Sequence, residues 1–130
     1  MQRVKSSSYE WIKDFAHAPS KVKATAAAVK KQYSNRHVVA ILELHTYSSL
    51  NPDFIQRYQG TLSSADEAVV FYDPEALEIK GLPPMHKEKI QMAFGRDDLQ
   101  VFTHTGELET RVKDYFEGNS LLLFMSSGNY

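Results

Sequence analysis

The sequence contains no cysteine. Disulfides, thiolate catalysis and zinc sites built on cysteine are therefore excluded. No stretch approaches the roughly 20 apolar residues that span a bilayer. The opening residues, Met1 to Ser8, are polar and lack the apolar segment of a secretory signal. Neither sign of charge dominates: 15 basic residues face 16 acidic ones, for a net charge of −1. That balance points away from nucleic acid or an anionic membrane as a partner, and a cytoplasmic location is expected. The phosphate-cradling pattern G-x-x-x-x-G-K-S/T is missing, as is G-x-G-x-x-G after the first strand. The G-x-S-x-G nucleophile elbow is missing too. None of the five histidines forms an HxxxH or HxH pair, so no metal ligand is assigned. If this chain handles a nucleotide, it touches sugar or base while another domain holds the phosphates.

What is present is 130 residues, 42% of them apolar and 24% charged, enough for a single domain with one core. Apolar runs of β type alternate with stretches of helical period. Tyr9 to Phe15 reads as a strand, with a short one before it near Arg3 to Lys5. From Pro19 to Tyr33, Val22, Ala26, Val29 and Tyr33 fall on one helical face, with Pro19 suited to the first turn. The run His37 to Leu44 fits a strand buried on both faces of a parallel sheet. Asn51 and Pro52 open a helix with Phe54, Tyr58 and Leu62 turned inward. Glu67 to Tyr72 is a further strand, and Asp73 to Pro84 a long connection. Lys87 to Phe94 is a short helix stopped by Gly95. Leu99 to Thr103 is a strand, and Thr105 starts a helix that buries Leu108, Val112, Tyr115 and Phe116 before Gly118 ends it. Leu121 to Met125 is the last strand. Met85, Met92 and Met125 read as core fillers, and His37, His86 and His104 as surface residues. The alternation predicts a three-layer, Rossmann-like α/β domain with a mostly parallel sheet of five or six strands.

In such sheets ligands bind beyond the carboxyl ends of the strands. That rule directs attention to Asp14–His17, His45–Ser49, Tyr72–Pro74, Thr103–Thr105 and Ser126–Asn129. Asp14 could accept two hydrogen bonds from a ribose diol, or simply stand as the acid before a helix, with His17 a turn residue. His45, Thr46, Tyr47, Ser48 and Ser49 could grip a small carboxylate or amine, or cap the next helix. Ser126, Ser127, Gly128 and Asn129 could let backbone approach a ligand closely, or form an ordinary tight turn. Phe94 to Asp98 reads as a helix stop with structural charges.

Taken together and in order, these edge segments resemble the Mur ligase family. Asp14 to Pro19 with Ala24–Thr25 is similar to its D-F/Y-A/G-H-x-P…A-T signature, which opens the family's C-terminal domain. His45 to Ser48 resembles its H-R-Y-S/T segment. Ala65-Asp66-Glu67 resembles its A-D-E strand start, and Leu121 to Asn129 its closing strand and small-residue turn. The resemblance spans nearly all of residues 1–130. It implies one fragment of a three-domain, ATP-dependent ligase that forms amide bonds in peptidoglycan metabolism. The N-terminal domain would hold UDP-N-acetylmuramate. The central domain would hold the ATP phosphates and Mg²⁺. This domain would contribute no catalytic residue and be inactive alone. Asp14 and His17 would meet ATP, with Asp14 on the ribose. Phe15, His45, Tyr47, Ser126, Ser127, Gly128 and Asn129 would meet the amine substrate. Phe15 stands where alanine-adding members carry Tyr, and Thr46 and Ser49 stand where they carry arginines. These departures favour a murein tripeptide over L-alanine as the acceptor, for use in peptidoglycan recycling.

Two other readings compete. A receiver-like signalling domain would use Asp73 and Thr103, but Ser126 occupies the region where its lysine belongs, and Asp14 lacks an acidic neighbour for Mg²⁺. A non-catalytic binding domain would need a large exposed apolar patch.

Overall fold

The computed structural model describes residues 2–5, 10–44, 51, 53–118 and 120–126. Six strands form one sheet: β1 (Gln2–Lys5), β2 (Glu10–Asp14), β3 (Val38–Glu43), β4 (Glu67–Phe71), β5 (Gln100–Phe102) and β6 (Leu121–Met125). Their order across the sheet is β1-β2-β6-β3-β4-β5. Only the β1–β2 pair is antiparallel; β2, β6, β3, β4 and β5 form a five-stranded parallel block. The helices are α1 (Pro19–Gln32), α2 (Pro74–Ile79), α3 (Lys87–Phe94) and α4 (Thr105–Glu117).

The apolar runs behave as doubly buried strands should. In β3, Val38, Ala40 and Leu42 join one core layer while Val39 and Ile41 join the other. In β6, Leu121, Leu123 and Met125 alternate in the same way with Leu122. The larger layer packs under Val22, Ala26 and Val29 of α1, Leu77 of α2, and Ile90 and Phe94 of α3. The smaller layer gathers around Tyr115 of α4, with Leu108, Val112 and Phe116 half-buried against it. The predicted three-layer α/β fold is therefore present.

Three local expectations are corrected. The segment after Asn51 is not a full helix. It is a single 3₁₀ turn, Ile55–Tyr58, followed by tight turns. Asn51 is not its cap: the turn starts after Phe54 with no side-chain cap, and Asn51 Oδ1 instead accepts from the Asp53 N–H at 2.9 Å in the turn before it. Ile55, Tyr58 and Leu62 are still buried, but Gly60 takes φ +75° and breaks the helical run. The Asp73–Pro84 connection contains α2, which Asp73 caps by accepting from the Glu75 N–H at 3.0 Å. Met92 is 81% exposed rather than a core filler, because Ile90 and Phe94 take the inward face of α3. Met85 and Met125 are buried as expected.

Polar contacts at the amino-terminal edge of the parallel block lock its register. Asp66 Oδ2 accepts from the Val38 N–H at 2.8 Å and from Lys30 Nζ at 2.7 Å, tying α1 and β3 to the start of β4. Arg96 donates to the carbonyls of Leu62, Ala65 and Asp66. The segment Phe94 to Asp98 is thus structural, with Gly95 in the left-handed conformation at φ +68°. His37 is exposed and pairs with Glu67, its Nε2 2.5 Å from Oε2. His86 and His104 are exposed as well.

Burial raises the Asp66 carboxyl, but the hydrogen bonds from Lys30 and the Val38 N–H, with the Lys30 charge, carry it below its ordinary value. Its stabilising contribution is therefore full above the unfolded value near pH 4 and is lost as pH falls through the lower folded value. Asp66→Ala is expected to cost about 1–2 kcal/mol at neutral pH, after discounting for solvent exposure. Urea unfolding over a pH series checks this. The gap between wild type and variant should close on acidification, and a gap independent of pH would contradict the assignment.

Candidate functional site at the carboxyl edge of the sheet

The carboxyl ends of β2, β6 and β3 lie side by side. Asp14 pairs with Met125, and Met125 with Leu42. Asp14 therefore sits at the carboxyl end of the parallel block, about two strand spacings, roughly 10 Å, from the end of β3. Its Oδ1 accepts from the Ala16 N–H at 2.8 Å, a two-residue turn that redirects the chain into α1. Phe15, between them, is 73% exposed, a large apolar surface presented at this edge. Ala16 is buried beneath it. His17 is exposed, with Nδ1 2.8 Å from its neighbour's carbonyl, Phe15 O.

This loop is pinned from below. Tyr58, fully buried in the 3₁₀ turn, donates its phenolic proton to the His17 carbonyl. Its ring stacks on Phe94 of α3, with centroids 5.1 Å apart and planes 19° apart. Burial pushes the Tyr58 phenol up to about 12, so it remains a donor at neutral pH. Tyr72, just past β4, makes a similar tether to the Met85 carbonyl.

Ser126 follows β6 and is 1% exposed. Its N–H donates to the Asp14 carbonyl at 3.1 Å, and its hydroxyl donates to Glu43 Oε1 at 2.6 Å. Glu43, the last residue of β3, is half-buried. The structure thus brings Asp14, Phe15, His17 and Ser126 to one edge and adds Glu43. Reading the apolar run 37–44 as a buried strand hid this residue. The signal that could have found it is a lone acid at the last position of an otherwise apolar strand. His45, Tyr47, Ser127, Gly128 and Asn129 lie outside the described residues.

Chemically, the half-buried Asp14 carboxylate fits a diol, since it accepts more than one hydrogen bond. Asp73, on the next edge segment, serves as the cap of α2. Among the described residues, no three histidine, aspartate or glutamate side chains come together as a metal cage, and no helix is long and apolar enough to cross a membrane.

Comparison with known proteins places this arrangement. The sequence model of the Mur ligase, glutamate ligase domain, matches residues 1–128. A UDP-N-acetylmuramate–L-alanine ligase of Chlorobium chlorochromatii is 31% identical over 123 residues, covering 91% of this chain and 26% of the relative. One from Limosilactobacillus reuteri is 42% identical over 59 residues, which is 45% of this chain and 13% of that protein. The chain therefore spans about a quarter or less of the length of the curated relatives it matches. Among solved structures, the murein peptide ligase of Psychrobacter arcticus superposes with a TM-score of 0.73 at 20% identity. The match covers 98% of this chain and 26% of that one. The UDP-N-acetylmuramate–alanine ligase of Thermotoga maritima superposes with a TM-score of 0.57 at 20% identity, covering 93% of this chain and 24% of that one. These superpositions establish the shared fold.

The Tyr58 tether is testable by itself. Tyr58→Phe removes one oxygen and leaves the His17 carbonyl without its donor, an expected cost of about 1 kcal/mol. Amide hydrogen exchange should quicken at Ala16 and Val22 and stay unchanged at Leu123. Unaltered exchange in the loop would show that the tether does not hold it.

Proposed function

This chain belongs to the Mur ligase family, as its C-terminal, glutamate-ligase-type domain, and from that premise we propose that it is the closing domain of an ATP-dependent amide ligase. The parent enzyme joins an amine-bearing acceptor to UDP-N-acetylmuramate. The observation that carries the reading is Asp14: a half-buried carboxylate at the carboxyl end of a parallel strand, where this fold class binds ligands. Asp14 receives the ribose hydroxyls of ATP, with His17 beside the nucleotide. The phosphates and Mg²⁺ belong to a central domain, since the sequence has no phosphate loop. ATP supplies the chemistry by activating the carboxylate partner as an acyl phosphate. The contribution of this domain is to position the reactants and close over them. Alone it is inactive.

The acceptor lies against Phe15, His45, Tyr47 and the residues 126–129. We favour a murein tripeptide. Thr46 and Ser49 stand where arginines would clamp the carboxylate of a free amino acid. The exposed Phe15 ring offers apolar surface to a longer substrate. The second reading, L-alanine as acceptor, is favoured by the names of the curated relatives and by the histidine at position 45.

The direct test supplies the full-length protein with UDP-N-acetylmuramate, ATP and Mg²⁺, plus either L-alanine or L-alanyl-γ-D-glutamyl-meso-diaminopimelate, and follows phosphate release and product mass. Turnover with the tripeptide alone is the expected result. Turnover with L-alanine alone would transfer the assignment to the second reading, and none with either would refute the ligase reading. In the same assay Asp14→Ala should weaken ATP by about 1–3 kcal/mol, the cost of a lost charged hydrogen bond. An unchanged KM for ATP would remove Asp14 from the nucleotide site.

A further inference from the structure

We propose that Glu43 is a positioning residue for the acceptor, acting through its hydrogen bond with Ser126; the inference rests on the ligase reading above. Glu43 and Ser126 occupy equivalent places. Each is one residue beyond the paired positions Leu42 and Met125 on neighbouring parallel strands. Leu42 and Met125 point into the α1-side core. By strand alternation, Glu43 and Ser126 leave on the opposite face, where they meet. The Ser126 hydroxyl donates to Glu43 Oε1 at 2.6 Å. A hydrogen bond to an ionised acceptor is of the stronger kind.

Ser126 is 1% exposed, so its hydroxyl is engaged inside the protein. The same residue's N–H holds the Asp14 carbonyl at 3.1 Å. One side chain and one amide therefore tie the ends of β2, β6 and β3 together. The chain continues from Glu43 into His45 and Tyr47, and from Ser126 into Ser127, Gly128 and Asn129. Both continuations are the segments assigned to the acceptor. A fold that needed only a filled strand end would place an apolar residue at position 43, since a half-buried carboxylate carries a desolvation cost. The carboxylate is explained if it fixes where both acceptor segments begin. Bond formation needs the amine held close to its reaction partner, and a misplacement of about 1 Å costs on the order of a hundredfold.

The test uses the full-length enzyme and separates KM for the acceptor from KM for ATP. Glu43→Ala should raise the acceptor KM by about tenfold or more, within the range for lost positioning, and leave the ATP KM nearly unchanged. Ser126→Ala should match it. Glu43→Gln keeps an oxygen that accepts from Ser126 and should restore most of the loss. The double variant Glu43→Ala/Ser126→Ala should be no worse than either single variant, because all three break the same bond. Thermal unfolding of each variant establishes that it is folded, and Glu43→Gln and Ser126→Ala carry the test if Glu43→Ala is not. An unchanged acceptor KM in Glu43→Ala or Ser126→Ala, an equal rise in the ATP KM, or a Gln variant as damaged as Ala would each overturn the proposal. Wild-type turnover with insensitive variants sinks this inference alone. A wild type that ligates neither acceptor sinks the ligase reading with it.

Discussion

The structure depends on the insertion of β6 between β2 and β3. The last strand in sequence is a central strand in space, hydrogen-bonded on both sides. Leu121, Leu122, Leu123 and Met125 have no solvent exposure. Until residue 125 is in place, β2 has only β1 as a partner and β3 only β4. The sheet therefore closes through a long-range contact, which ties its completion to the placement of residues 121–125. The same insertion carries Ser126 to the middle of the carboxyl edge, between Asp14 and Glu43.

The two edges of the parallel block have separate duties. The amino-terminal edge holds the ion pairs and caps that fix register: Lys30–Asp66, the Arg96 carbonyl contacts, and the Glu67 pairings with His37 and Arg111. The family-like Ala65-Asp66-Glu67 motif belongs to this framework, since Asp66 anchors β3 and α1 while Glu67 begins β4. The carboxyl edge holds Asp14, Phe15, His17, Glu43 and Ser126. There Phe15 and His17 are exposed and Asp14 and Glu43 half-buried, while the buried Ser126 joins the strand ends through Asp14 and Glu43. Tyr58 links the two roles: its ring belongs to the core, and its hydroxyl fixes the loop that presents Phe15 and His17.

Much of this was legible in the residues. Doubly apolar runs such as 38–42 and 121–123 fit a sandwiched parallel sheet, and the segments that follow the parallel strands bear polar residues. What misled was periodicity without regard to backbone. Phe54, Tyr58 and Leu62 keep a helical spacing and an inward direction, yet Gly60 turns the chain and only one 3₁₀ turn forms. The Asp73-Pro74-Glu75 start of α2 carries a proper cap and an N1 proline, a helix-start signal that the reading of Asp73–Pro84 as one long connection passes over. Glu43 was hidden because strand order cannot be read from one sequence. Nothing local says that residue 43 will lie beside residue 126.

The role proposed for this edge is to receive the nucleotide sugar and the acceptor while the phosphates are held elsewhere. The most direct measurement is a crystal structure of the full-length protein with a non-hydrolysable ATP analogue, Mg²⁺ and UDP-N-acetylmuramate. The ribose hydroxyls are expected within about 3 Å of the Asp14 carboxylate, a normal hydrogen-bond length, with the triphosphate on another domain and Ser126 still bonded to Glu43. A ribose bound away from Asp14, or phosphates seated on this domain, would contradict it.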